Sequence, residues 1–201
     1  MNKLLLATTN KGKLRELHAI LDGLGIPLIT PADLGLKLEV HEDGVTYAEN
    51  AAKKALAFAH ASGLTSLADD SGLEVEALGG APGLYSARYS PKPGANDADR
   101  RSYLLENLRG VGAPRPWAAR FVATVSIAGP GGSVELTEGE CRGEIIPEER
   151  GTGGFGYDPI FFMPELGQTM AELPEETKNR LSHRARAVEA AKPILIRLFG
   201  L

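Results

Sequence analysis

A single cysteine, Cys141, stands among the 201 residues, so the chain cannot close a disulfide on itself or build a zinc site from several thiolates. That usage fits a reducing compartment. Long apolar runs are missing as well. The opening "MNKLLLATT" has four consecutive apolar residues, Leu4 to Ala7, before it turns polar, too few for the core of a secretory signal. No later stretch approaches the roughly 20 apolar residues of a membrane span. The expectation is a soluble, cytoplasmic protein with no membrane partner. Basic charge is not in excess: 22 lysines and arginines face 26 acids, and the net charge is −4. A sequence-indifferent grip on nucleic acid needs a basic surface to neutralise backbone phosphates, so no stable nucleic-acid partner is expected. A local basic pocket is still open to such a chain. Histidine is scarce, and His183 has no cysteine or histidine at ligand spacing, which argues against zinc.

What is present is an ordinary globular balance, 43% hydrophobic and 24% charged, over a length that suits one domain, residues 1–201, with two lobes. Met1 to Ala7 reads as a buried strand. Leu14, Leu17, Leu21 and Leu24 recur at helical spacing, and Gly23 and Gly25 end that helix. "IPLIT", Ile26 to Thr30, reads as a second strand, so the start of the chain suggests a crossover unit. Thr46 and Glu49 have capping-box spacing ahead of the helical "NAAKKALAFAHA". "LTSLA" returns as a strand expected to end at Asp69 and Asp70. Asp97 to Leu108 is a further helix. "WAARFVATVSIAG" alternates as a half-buried strand, and "GPGG" turns it into "SVELTEGECRGEII" as a hairpin. Helical sequence runs from about Glu175 to the end. The expected fold class is α/β, an elongated mixed β-sheet flanked by helices, with two lobes around a central active-site cleft.

Five segments hold residues suited to chemistry. In "TTNKGK", Thr8, Thr9 and Asn10 offer short polar groups, Lys11 and Lys13 offer charge, and Gly12 permits a tight turn. Successive amides at a helix start form an anion-binding concavity. A polar strand-to-helix turn with its lysines in water fits that stretch equally. In "LADDSGLEV", Asp69 and Asp70 are adjacent on extended chain, so their side chains point to opposite faces and should do different jobs. One can hold a hard cation such as Mg²⁺ while the other orients a loop or a neighbouring lysine. The bland alternative is an Asp-Ser-Gly turn at a strand end. "HEDGVTYAEN" adds Glu42 as a second carboxylate for the cation, or as part of a solvated acidic loop, with Glu49 assigned to helix capping.

In "GGFGYDPIF", glycines surround Phe155 and Tyr157 and would let a flat base approach an exposed ring, while Asp158 could read a base edge. Two aromatics tucked into core are the rival reading. "KNRLSHRARA" gathers Lys178, Arg180, His183, Arg184 and Arg186 in an otherwise acidic chain, either as a binding surface or as a solvated helix face.

Taken together and in order, "TTNKGK", "HEDGVTYAENA", "LADDSGLEV", "GLYSARY", "GGFGYDPIF" and "KNRLSHRARA" resemble the inosine triphosphate pyrophosphatase family, house-cleaning enzymes that hydrolyse non-canonical purine nucleoside triphosphates such as dITP, ITP and XTP. The matches span residues 8 to 187. The one departure is Thr9, where the family often has glycine. The resemblance implies a homodimer and a reaction in which a purine nucleoside triphosphate and water give the monophosphate and pyrophosphate. It implies that Thr8, Thr9, Asn10, Lys11, Gly12 and Lys13 bind the triphosphate, and that Asp70 is the catalytic residue. Asp70 and Glu42 are implied as ligands of Mg²⁺. Ser71, Phe155, Gly156, Tyr157, Asp158, Lys178, His183 and Arg184 are implied as nucleotide contacts. Lys53, on the "NAAKKA" helix, is expected as an extra phosphate contact. Two other readings use the same segments: a phosphatase releasing orthophosphate, and a non-catalytic nucleotide- or RNA-binding module. The module has no use for the paired acids.

Overall fold

A computed structural model describes residues 3–201, so the expectation for Met1 and Asn2 lies outside the described residues. Strand β1 (Leu4–Leu6) leads into helix α1 (Lys11–Leu21), and β2 (Leu28–Ile29) follows. Helix α2 (Tyr47–Ser62) precedes β3 (Thr65–Val75), and α3 (Asp97–Gly110) precedes β4 (Trp117–Ala128) and β5 (Val134–Ile145). The short strands β6 (Phe161–Met163) and β7 (Gln168–Thr169) are followed by α4 (Glu175–Leu181) and α5 (His183–Phe199). The seven strands form one mixed sheet in the order β2-β1-β3-β4-β5-β6-β7. β1 runs parallel to both β2 and β3, while β6 runs antiparallel to β5 and β7. No helix among the described residues is long and apolar enough to cross a membrane.

The chain divides into two compact units. One holds the chain up to Asp70 with Ala123–Gly139 and His183–Leu201; the other holds Ser71–Val122 and Glu140–Ser182. β3, β4 and β5 each contribute residues to both.

The first unit explains why β1 reads as an unbroken apolar run. Leu4, Leu5 and Leu6 are all fully buried, which happens when a parallel strand is covered on both faces. Leu4 and Leu6 join Leu67, Val125 and Ile127 against Leu17, Ile20 and Leu21 of α1 and Ala185, Val188, Ala191 and Leu195 of α5. Leu5 points the other way, with Ala68 and Ala128, toward Ala55, Phe58 and Ala59 of α2. Each fully buried leucine contributes about 1.5–3 kcal/mol over an exposed one. α1 is started by Asn10 and α2 by Thr46, whose side chain accepts from the Glu49 amide at 3.1 Å. The second unit has its own core, in which Leu104, Leu105 and Leu108 of α3 pack with Trp117, Phe121, Tyr157, Phe161 and Met170.

Three expectations need correction. β3 does not end at the paired aspartates but runs on to Val75, so "DDSG" is strand and not turn. Leu73 and Val75 are fully buried, and their alternation keeps the chain extended past Gly72. β4 is not half-buried where it crosses the first unit: Ala123 to Ala128 are buried on both faces because helices lie on each side. The C-terminal helical sequence is broken at Ser182, which is extended (φ −66°, ψ 157°) between α4 and α5.

Candidate active site

Strand alternation sends the two carboxylates of β3 to different neighbours. Asp69 is fully enclosed. Its Oδ2 meets Lys13 Nζ at 3.1 Å and accepts from Arg184 Nε at 3.0 Å. Arg184, itself fully buried, also pairs through Nη1 with Glu16 of α1. Burial pushes the Asp69 carboxyl upward, but Lys13, Arg184 and Lys54 outweigh it and hold the group far below the usual carboxylate range. Burial lowers Lys13 from its ordinary value, with Asp69 opposing and the neighbouring Arg184 and Lys54 reinforcing the shift. The Asp69 carbonyl then accepts from Lys54 Nζ at 3.1 Å and Lys13 Nζ at 3.4 Å. Two lysines, from α1 and α2, thus meet at one peptide of β3.

Asp70 faces α2. Its Oδ2 accepts from Asn50 Nδ2 at 3.0 Å, and Asn50 Oδ1 accepts from the Gly44 amide at 2.8 Å. Burial raises the Asp70 carboxyl above its ordinary value; the Asn50 bond, Lys13 and Lys54 pull it back, and Glu42 pushes it up again. The acidic loop is held by the same helix residue by residue. Glu42 pairs with Lys54, Asp43 with Lys53, Gly44 with Asn50, and the Val45 amide donates to Glu49 Oε2 at 2.8 Å. Gly44 is required by closeness: a Cβ there would stand 2.7 Å from Asn50 Oδ1 and 2.8 Å from Glu49 Cβ. Among the described residues no three acids, histidines or cysteines gather as a metal cluster. Glu42 lies near enough to Asp70 for its charge to raise the Asp70 carboxyl.

The first loop is built differently from expectation. The Gly12 and Lys13 amides are taken by Asn10 Oδ1 at 2.9 and 3.1 Å, so Asn10 caps α1 with the hydrogens expected to form the anion cradle. Thr8 Oγ1 accepts from the Asn10 amide at 3.2 Å, while Thr9, Asn10 and Lys11 are exposed. Lys13 is the loop residue that reaches the acids. On α2, Lys53 pairs with the exposed Asp43, while Lys54 pairs with Glu42 and reaches the Asp69 carbonyl. Lys54 lies one turn beyond Asn50, and that i, i+4 spacing was the available signal. Asn50 itself passed unnoticed beside Glu49.

The second unit holds the glycine loop. Asp158 is buried; its Oδ2 takes the Lys178 ammonium at 2.6 Å and the Phe155 amide at 2.8 Å. Lys178 Nζ also lies 5.0 Å from the centre of the Phe155 ring, a cation–π contact. Gly154 has φ +70°, and a Cβ there would run into the Asp158 carboxylate and come within 3.0 Å of Lys178 Nζ. Tyr157, expected beside Phe155 as a second exposed ring, is instead buried in the core and donates its hydroxyl to the Ser86 carbonyl at 2.9 Å. Ser71 is half-buried on β3. His183 and Arg184 open α5 in the first unit, both buried, so this part of "KNRLSHRARA" is not a solvated face.

This geometry has close relatives. A dITP/XTP pyrophosphatase of Geobacter sulfurreducens is 52% identical over 192 residues, covering 96% of both chains. One of Desulforamulus reducens is 49% identical over 197 residues, covering 98% of this chain and 97% of its own. The structure of a HAM1 protein from Coxiella burnetii superposes with a TM-score of 0.88 at 38% identity, covering 98% of this chain and all of that one. The Ham1 family profile matches residues 4–194, and the chain belongs to that family.

Asp69→Asn is expected to destabilise the fold by about 3–5 kcal/mol, because it removes one of the two acids that balance the buried Arg184 and the carboxylate paired with the half-buried Lys13. In the parent, the depressed carboxyl contributes stability in full above the unfolded value near 3.9, and that contribution declines as pH falls below it. Denaturant titrations at pH 7 and pH 3 check both: the gap between parent and variant should narrow at the lower pH.

Proposed function

We propose that this chain hydrolyses non-canonical purine nucleoside triphosphates, dITP, ITP and XTP, to the monophosphate and pyrophosphate, keeping these nucleotides out of DNA and RNA. It is a hydrolase acting on an acid anhydride. The observation that carries the reading is the meeting of Lys13 and Lys54 at the Asp69 carbonyl, one residue from the buried Asp70. A polyphosphate needs cations, and a water attacking phosphorus needs an acceptor for its proton. Here both come from a single turn of α1, one of α2 and the middle of β3.

Water attacks the α-phosphorus, the bond from that phosphorus to the bridging oxygen breaks, and pyrophosphate leaves with the bond's electrons. Lys13 and Lys54 face the negative charge that grows on the leaving group, in a half-buried setting where such charges are weakly screened. Asp70 takes the proton of the attacking water, with Asn50 fixing the direction of its carboxylate. Glu42 and Asp70 suit Mg²⁺, which binds through one or two carboxylates plus substrate phosphates and keeps several waters. When bound, it supplies charge neutralisation and lowers the pKa of water.

Phe155 offers its face to the purine, and Lys178 offers a donor to the oxygen at C6 of hypoxanthine or xanthine. Adenine has an amino group there and would set donor against donor, a mispairing that can cost ~10⁴ in rate. Asp158 holds both elements in place. Arg184, with its guanidinium committed to Asp69 and Glu16, contributes to the reading by fixing the start of α5. The proposed assembly is a homodimer in the cytoplasm.

Supplied with Mg²⁺ and dITP, XTP, dGTP or dATP, the protein should release pyrophosphate and monophosphate from the first two. Orthophosphate would point to a phosphatase, and binding without turnover to a module. Asp70→Asn should lower kcat by 10²–10⁴-fold, the usual scale of a lost acid–base group, with an unchanged thermal midpoint. Lys13→Ala should raise the KM for dITP by about tenfold or more, as expected for a charged hydrogen bond. An unaltered KM would remove Lys13 from the tail.

A further inference from the structure

One group of contacts in the second unit has no part in the proposed chemistry and yet converges on the glycine loop. Gly156 donates its amide to Asp97 Oδ2 at 2.8 Å, and its carbonyl accepts from Arg101 Nη1 at 2.8 Å. Both peptides that flank the Gly156 Cα are therefore held by side chains. Asp97 and Arg101 lie four residues apart on α3, so one helix face supplies both.

Each clamp residue is itself fixed. Arg101 donates from Nε and Nη2 to the two oxygens of Glu149, at 2.8 and 2.9 Å, a two-pronged pairing that sets the plane of the guanidinium. Asp97 pairs through its other oxygen with Arg100, whose Nη1 donates to the Ala95 carbonyl at 2.8 Å. α3 is anchored below by the buried Leu104, Leu105 and Leu108 and capped above by Asn96 and Asp99 in a reciprocal capping box.

A glycine between two aromatic residues is the loosest point available in a loop. Held at φ +63°, it fixes Phe155 on one side and Tyr157 on the other. Tyr157 is already tied to Ser86, and the Phe155 amide to Asp158. The Phe155 ring lies against the Lys178 ammonium, and its backbone is held on one side by Asp158 through its own amide and on the other by Asp97 through the Gly156 amide.

We propose that Asp97 and Arg101 are positioning residues for base selectivity: by clamping both peptides of Gly156 they hold the Phe155 face and the Lys178 ammonium in the register that tells a 6-oxo purine from a 6-amino purine. This rests on the reading of Phe155 and Lys178 as the base site. Neither residue touches the reacting atoms, so the clamp acts on which base is accepted and not on the cleavage of the phosphoanhydride.

The test measures kcat and KM for dITP and dATP, together with the inhibition constant of inorganic tripolyphosphate, which carries the tail and no base. In Asp97→Ala and Arg101→Gln, the ratio of kcat/KM for dITP over dATP should fall about tenfold, mostly through a higher KM for dITP. Tripolyphosphate inhibition should stay within twofold of the parent. Asp97→Asn keeps an oxygen for the Gly156 amide and should restore most of the ratio; if Asp97→Ala fails to fold, the comparison of Asp97→Asn with Arg101→Gln carries the test. An unmoved ratio in Arg101→Gln overturns the clamp, and so does a loss of tripolyphosphate inhibition as large as the loss for dITP, since that marks general loosening. A parent protein with no preference for dITP over dATP would instead sink the functional reading on which the clamp rests.

Discussion

The buried carboxylate of Asp69 is the constraint on which the rest of the first unit turns. It is enclosed by protein and bears a full charge, a combination that survives only with excellent partners. Those partners come from three places: Lys13 at the start of α1, Arg184 at the start of α5, and Lys54 through the adjacent carbonyl. Glu16 completes the set by answering the second edge of the Arg184 guanidinium. Packing of leucines and alanines against the sheet is non-directional and would tolerate small slides of α1 and α5. Ion pairs enclosed in this way do not. They fix where the two helices begin, and with them the height of Lys13 above β3.

The second unit repeats the device on a smaller scale. Asp158 takes Lys178 and the Phe155 amide on one oxygen, so a buried acid again sets the position of a lysine and of the chain beside it. In both places a lysine with a flexible stem would otherwise sample many rotamers. Holding it before a ligand arrives removes that entropy from the binding step. The same logic covers the acidic loop, where four consecutive residues, 42 to 45, are each held by a side chain of α2.

Much of this was legible in the sequence, and the failures have physical causes. An apolar run marked β1, leucine spacing α1, a capping box α2, and alternation followed by a glycine turn the β4–β5 hairpin, and the helix expected over Asp97 to Leu108 is α3. The glycine loop and the paired aspartates announced themselves by composition. What periodicity could not show was that "DDSG" continues a strand: turn residues and strand residues are told apart there only by Leu73 and Val75 finding a core on the far side. That Lys54 turns toward β3 depends on which face of α2 meets Asp70, and Asn50, four residues earlier, marks that face. That Arg184 is fully buried between Glu16 and Asp69 was not legible, because both acidic partners are far away in sequence. Tyr157 and Phe155 look alike in the string, but only Tyr157 has a hydroxyl that a core carbonyl, that of Ser86, can satisfy.

Neighbours in sequence, Asp69 and Asp70 have carboxyls driven in opposite directions. Alternation along β3 gives them different surroundings: at Asp69 the pairs with Lys13 and Arg184 outweigh burial, while at Asp70 burial outweighs the Asn50 bond and the pull of Lys13 and Lys54. Buried, ion-paired and held far below the usual carboxylate range, Asp69 keeps a fixed charge at neutral pH. A group raised by burial, and bonded to an asparagine that only accepts or donates without ionising, keeps a proton affinity that substrate and cation can adjust. Environments that push two acids apart assign their roles. That contrast supports the proposed assignment of the attacking water's proton to Asp70 and of a fixed, lysine-paired charge to Asp69.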